Sequence, residues 1–290
     1  MIDPYFVVFE LIMLGLFLLC LRHAARQGPA RVWQLLAGVL YGLALEWATI
    51  QQLHAYHYGR FLLMLGEVPL MVGVGWGVII YSVRLFSDAT TLPQWARPVL
   101  DGLLALNIDL ALDVLAIRLG MWDWGLGLRA QYFGVPYANF WAWFWVVFAF
   151  SAGLRGLSRP ASFAGRWLGP LGAVALGVLD VLAMNSLIAT IAPAWYVPTI
   201  AVTLGVALAL VLSLRPRFAR QPADPAAFWV PFVCHGYCLA AGLLSGALLR
   251  PPVLLLVSGA MLALALWLHR QAIWALSRRS GPTFQWTKPR

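Results

Sequence analysis

Residues 101–145 read DGLLALNIDLALDVLAIRLGMWDWGLGLRAQYFGVPYANFWAWFW. Asp101, Asp109 and Asp113 stand in an apolar run of helix length. A loop of Gly, Trp, Tyr and Pro follows, and then come Asn139 and the tryptophans Trp141, Trp143 and Trp145. An ionised carboxylate is costly in hydrocarbon, so acids inside a membrane span mark a functional site by default. Four residues separate Asp109 from Asp113, which places their carboxyl groups on one helix face, a turn apart. Asp101 falls on a neighbouring part of that face. Two carboxyls this close in a low dielectric resist double ionisation, so the pair offers a proton donor beside a proton acceptor.

The rest of the chain supplies the membrane. Of 290 residues, 62% are hydrophobic and 11% charged, and the mean hydropathy is +0.79. Apolar runs of about 20 residues, broken by short charged or Pro-containing connections, define an all-α polytopic helical membrane protein and exclude a soluble domain. About nine transmembrane helices are expected (range seven to nine), near 5–21, 32–50, 62–83, 98–118, 138–157, 168–190, 197–214, 227–249 and 252–268. Residues 1–270 form a single membrane domain and 271–290 a short basic tail. The first apolar run starts at Tyr5 with no basic residue before it, so no removable signal peptide is expected.

The net charge of +9 comes from nineteen Arg and Lys288, most of them between the apolar runs. With the N-terminus outside, sixteen basic residues fall on the cytoplasmic side. Four, Arg60, Arg118, Arg129 and Arg250, fall on the other. That asymmetry is a topology signal, with the C-terminus cytoplasmic, and not a nucleic-acid surface. Cys20, Cys234 and Cys238 all lie in apolar runs, which argues against a disulfide framework.

Seven of the eleven acids fall in or at the ends of spans: Glu10, Glu46, Glu67, Asp101, Asp109, Asp113 and Asp180. A single one serves as well by bonding a neighbouring helix or an arginine such as Arg118 or Arg129. Several converging from spans 2, 3 and 4 point to a site. Glu46 leads into QQLHAYHYGRF, and Glu67 with Pro69 stands near the outer end of span 3. The glycines of GVGWGVIIYS mark a close helix seam. Trp122, Trp124, Trp195 and Trp274 suit an interfacial belt. The alternate spacing of Trp141, Trp143 and Trp145 turns at least one indole inward, where it can face a cation or stack on a polyene. His54 and His57 lack a third ligand, and Cys234 with Cys238 reads as packing, so no metal and no cofactor is expected.

The pattern from Asp109 and Asp113 through Gly120, Trp122, Trp124, Tyr132, Phe133, Gly134, Val135, Pro136, Asn139, Phe140 and Trp143 resembles a family of integral-membrane carotenoid biosynthesis proteins. That family includes bisanhydrobacterioruberin hydratase and gamma-carotene hydratase. Glu46, Tyr56, Tyr58, Gly59, Val68, Pro69, Leu70 and Trp76 fit the same family, and the similarity covers roughly residues 35–155. Val114 and the Trp141–Ala142 pair depart from the family's usual Pro and Gly-Trp. The resemblance implies addition of water across the terminal isoprenoid double bond of a carotenoid, giving a tertiary alcohol. Asp109 or Asp113 would protonate the alkene, and the other, or Glu46, would activate or place the water. Asn139 and Tyr132 would orient that water, and Trp122, Trp124 or Trp143 would shield the carbocation. Tyr58 and Glu67 join them as substrate-binding candidates. The implied partners are a carotenoid or other long isoprenoid and the lipid bilayer, in a bacterial or archaeal cell membrane.

Three other functions compete. A prenyltransferase would use Asp-x-x-x-Asp to hold magnesium and a diphosphate. It needs a second such motif, which Asp180 does not supply, and a cytoplasmic site, whereas Asp113 lies about 22 Å along its span from that side. A non-enzymatic carotenoid-binding or structural subunit would use the aromatics alone. A proton-coupled transporter finds no inverted repeat in its support.

Overall fold

The computed structural model describes residues 3–125, 127–129, 132–158, 162–218 and 224–279. Arg159, Arg220 and the tail from residue 280, with Lys288 and Arg290, lie outside the described residues.

The helices are α1 (Pro4–Gln27), α2 (Pro29–Leu53), α3 (Leu70–Asp88), α4 (Arg97–Arg118), α5 (Tyr137–Leu157), α6 (Phe163–Trp167), α7 (Gly169–Thr190), α8 (Pro193–Ser213), α9 (Pro225–Leu244), α10 (Val253–Leu268) and α11 (Arg270–Arg279). Proline opens many of them. Pro4, Pro29, Pro98, Pro170, Pro193 and Pro225 sit in the first turn, where the missing N–H costs nothing. Among the described residues six helices, α1, α3, α5, α7, α8 and α9, are long and apolar enough to cross a membrane. Helices α2 and α4 are as long but less apolar, since they carry acids and amides of the interior. The chain is an all-α polytopic membrane protein.

Some boundaries differ from the sequence expectation. Span 3 was expected from residue 62, but helix α3 starts at Leu70. The intervening residues turn back as an antiparallel hairpin of β2 (Met64–Leu65) on β3 (Val68–Pro69). Gly66 takes the positive φ that the turn requires. Glu67 therefore leaves the span and is exposed at the hairpin tip. Likewise α9 stops at Leu244 instead of 249, where Gly246 turns the chain.

Two features position the interior. The first is the glycine seam between α2 and α3. A Cβ on Gly42 would lie 2.6 Å from the Trp76 Cβ, and one on Gly77 would lie 2.6 Å from Val39 Cγ2. Only hydrogen at these positions lets the backbones approach so closely, and the approach lays Trp76 against Glu46. The second is a two-stranded clasp of β1 (His57–Tyr58) on β4 (Trp122–Asp123), with Tyr58 opposite Trp122. It ties the loop after α2 to the loop after α4. Gly59 N–H extends the clasp to Met121 O at 2.8 Å. From α1, the Glu10 carboxylate accepts the Leu62 and Leu63 amides at 3.1 and 3.4 Å, which pins the same loop down.

Candidate active site

Helix α4 splits its three aspartates between two jobs. Asp101, fully buried, pairs with Arg155 of α5 at 2.6 Å and accepts from Ser151 Oγ at 2.5 Å. Arg155 also reaches Ser87 and Asp88 of α3 at 2.8 and 3.0 Å. This is an ion-pair cluster joining three helices. The cation is Arg155 and not the Arg118 suggested by sequence, which instead donates to the Arg250 carbonyl; the Arg129 side chain lies outside the described residues.

Two turns further on, Asp109 and Asp113 face Asn139 in the first turn of α5. The Asn139 amide nitrogen lies 2.5 Å from Asp113 Oδ2 and 3.2 and 3.3 Å from the two Asp109 oxygens. One amide nitrogen thus bridges the two carboxyls and holds them as close neighbours. Both are sealed from solvent, at 0% and 2% exposure. Asp113 borders a cavity, and Asp109 lies behind it.

That cavity, about 90 Å³ in volume, lies between α2, α3, α4, α5 and α7, with room for about three waters. Glu46 of α2 is the second acid on its wall. It accepts three hydrogen bonds: Trp76 Nε1 at 2.6 Å, Tyr56 Oη at 2.5 Å and Tyr58 Oη at 2.8 Å. The two phenols come from the clasped loop. Burial first, and then the Glu46 charge, hold both well above the ordinary tyrosine range, so they remain O–H donors.

The remaining wall is largely aromatic. Trp143 packs on Trp76 with ring centroids 4.3 Å apart, Trp124 lies 4.6 Å from Tyr56, and Trp122 meets Tyr58 edge-on. Of the three tryptophans at the start of α5, only Trp143 borders the cavity. Trp141 packs with Ile188 and Ile200 on another face. Tyr56, Tyr58 and Trp124 also line a second, larger recess of about 640 Å³ on the loop side, with His54, His57 and Glu67 at its edge. Tyr56, Tyr58 and Trp124 thus border both spaces.

Of the residues expected at the site, Glu46, Asp113, Asn139, Tyr58, Trp122, Trp124 and Trp143 share the cavity, with Asp109 directly behind. Two do not. Glu67 is in the outer recess, bonded to Gln51 at 2.8 Å. Tyr132 packs edge-on against Phe140 and does not border the cavity. Four polar or aromatic wall residues were not singled out as site residues: Tyr56, Trp76, Thr49 and Asn185. Thr49 follows Glu46 by three residues and so shares its helix face, a signal the sequence did contain.

A membrane-embedded bundle with buried acids around an aromatic cavity defines a class: a polytopic membrane protein with an intramembrane carboxylate site. The chain belongs to the carotenoid biosynthesis protein family, whose profile matches residues 3–212. That match spans α1 to α8 and so contains every residue of the site, and the chain's role lies in carotenoid biosynthesis. No curated protein and no solved structure matches the chain.

Proposed function

We propose that the protein is a carotenoid hydratase, adding water to the terminal isoprenoid double bond of an acyclic or monocyclic carotenoid. The observation that carries this is the separation of two carboxyl stations around one aromatic cavity. At one station Asp109 and Asp113, a turn apart on one helix, converge on the single Asn139 nitrogen; two buried carboxyls that close resist double ionisation, so the pair keeps a proton and is the donor. At the other, Glu46 faces three donors and no acid, so it is the acceptor.

The reaction balances on these groups. The Asp113 proton forms the new C–H bond as the π pair of the alkene is consumed, leaving a tertiary carbocation. The indole faces of Trp143 and Trp76 lie beside that charge. Water forms the C–O bond and gives its extra proton to Glu46, and water in the cavity returns that proton to the aspartate pair. Proton donation by a positioned acid is worth typically about 10²–10⁴ in rate. The polyene tail extends between spans into the bilayer. In this assignment nine helices span the membrane with the N-terminus outside, and the cavity lies in the outer half.

Expression in cells that make lycopene, with ¹⁸O-labelled water, tests the assignment. The expected product is a tertiary alcohol carrying oxygen from the label. Pigment that co-purifies with the protein and never gains oxygen would instead make it a carotenoid-binding subunit.

A further inference from the structure

The attacking water needs a seat, and the groups expected to provide it are already engaged. The Asn139 amide nitrogen donates to Asp109 and Asp113, and Tyr132 does not reach the cavity. Of the polar groups left on its wall, the Trp124 indole N–H, unpartnered among the described residues, is a lone donor, whereas Thr49 of α2 and Asn185 of α7, 8% and 2% exposed, set a donor beside an acceptor. Resting on the hydratase assignment, we infer that Thr49 and Asn185 are positioning residues that hold the attacking water against Glu46.

The hydrogen-bond network fixes their orientation. Gln52 Nε2 donates to the Leu182 carbonyl at 2.9 Å, so Gln52 Oε1 faces Asn185. The Asn185 amide nitrogen then donates to Gln52 Oε1 at 3.2 Å and to Thr49 Oγ1 at 3.3 Å. Its carbonyl oxygen takes no protein donor among the described residues, and the Thr49 hydroxyl hydrogen has no protein acceptor. These are one acceptor and one donor, beside Glu46, which lies one turn from Thr49 on the same helix face. A water there donates to Asn185 Oδ1 and Glu46 and accepts from Thr49. Its remaining lone pair faces the cavity, across from Asp113. Proton and water then reach the double bond from opposite walls.

Emptying the seat has a chemical signature that a general loss of fold does not. A carbocation that meets no water returns a proton from a neighbouring carbon to the aspartate pair and re-forms an alkene. In D₂O the incoming proton is deuterium, so the recovered carotenoid becomes deuterated without gaining oxygen. The test uses the full-length protein with lycopene as probe in D₂O enriched in ¹⁸O, and compares wild type with Thr49→Val, Thr49→Ser and Asn185→Leu.

Thr49→Val and Asn185→Leu are expected to lower alcohol formation by roughly 10- to 100-fold, the range for losing one well-placed orienting group. Deuterium should persist in the recovered carotenoid, and Thr49→Ser should restore the wild-type balance of the two labels. If wild type forms the alcohol and both variants keep its deuterium-to-oxygen ratio, or lose both labels equally, the water seat is overturned and the hydratase assignment stands. If wild type adds no oxygen, the assignment fails and takes the seat with it.

Discussion

The Asp101–Arg155 pair gives the sharpest stability prediction, because the two partners are not equally provided for. Breaking a buried ion pair by removing one member costs about 3–5 kcal/mol, chiefly from the charge left behind. Removing Asp101 leaves Arg155 with Asp88 at 3.0 Å and Ser87 at 2.8 Å, so Asp101→Asn belongs at the low end, about 3 kcal/mol. Removing Arg155 leaves Asp101 fully buried with Ser151 as its one direct hydrogen-bond partner among the described residues and Arg84 only at longer electrostatic range, so Arg155→Met belongs at the high end, about 5 kcal/mol. The double variant strands no charge at Asp101 and should be less destabilised than the sum of the singles. Thermal unfolding in detergent, followed by intrinsic tryptophan fluorescence, measures the order. Turnover per folded molecule should stay within about twofold in Asp101→Asn, since the ion pair lies outside the cavity wall and a surrounding, non-reacting change contributes little to the barrier. If Arg155→Met is no worse than Asp101→Asn, or the double variant costs the full sum, the assignment of this acid to structure is refuted.

Three further outcomes follow from the geometry. Asp113→Asn and Glu46→Gln are each expected to lower alcohol formation by about 10²–10⁴ while the purified protein still carries bound carotenoid, read by absorbance. The raised Tyr56 and Tyr58 phenols make the folded state hold protons that the unfolded chain releases above about pH 10. Stability conferred by these groups is present below that pH and falls as pH rises beyond it, so Tyr56→Phe/Tyr58→Phe should flatten the decline in unfolding temperature between pH 9 and 11 (roughly the tyrosine range). Gly42→Val drives a side chain into Trp76, so the α2–α3 seam must open; the yield of monodisperse protein should fall, and a well-folded Gly42→Val protein would show the seam to be looser than described.

Much of this arrangement was legible in the chain, and the parts that were not share a cause. Helix positions followed from apolar runs and the connections between them, and the Asp109–Asp113 pair from its spacing on one helix; Asn139 came in through the family resemblance, as a group to orient water and not as a partner of the acids. The glycines of GVGWG announced the close α2–α3 contact. Glu67 misled because a run from 62 to 83 is apolar enough to read as one span, whereas Gly66 and Pro69 turn its first residues into a hairpin. Asp101 shares a helix face with Asp109 and Asp113, and nothing local reveals that Arg155, fifty-four residues on, takes it away from them. Tyr56 and Asn185 reach the cavity only through long-range contacts, the β1–β4 clasp and the α2–α7 interface. Such contacts leave no periodic trace.

The contrast between the acids suggests how a chain separates structural carboxylates from working ones. Asp101 is held by the guanidinium of Arg155, a permanent charge. Among the described residues Glu46, Asp109 and Asp113 make no salt bridge, and their partners are an amide, an indole and two phenols. Neutral donors hold a carboxyl group in place as firmly as geometry requires but leave its proton free to move, because neither protonation state strands a permanent charge. A carboxyl that must give a proton to an alkene, or take one from water, needs that freedom. An arginine delivered to this cavity, for instance by Asn139→Arg, would satisfy both aspartates electrostatically. By the same reasoning it should abolish proton donation while leaving the bundle folded.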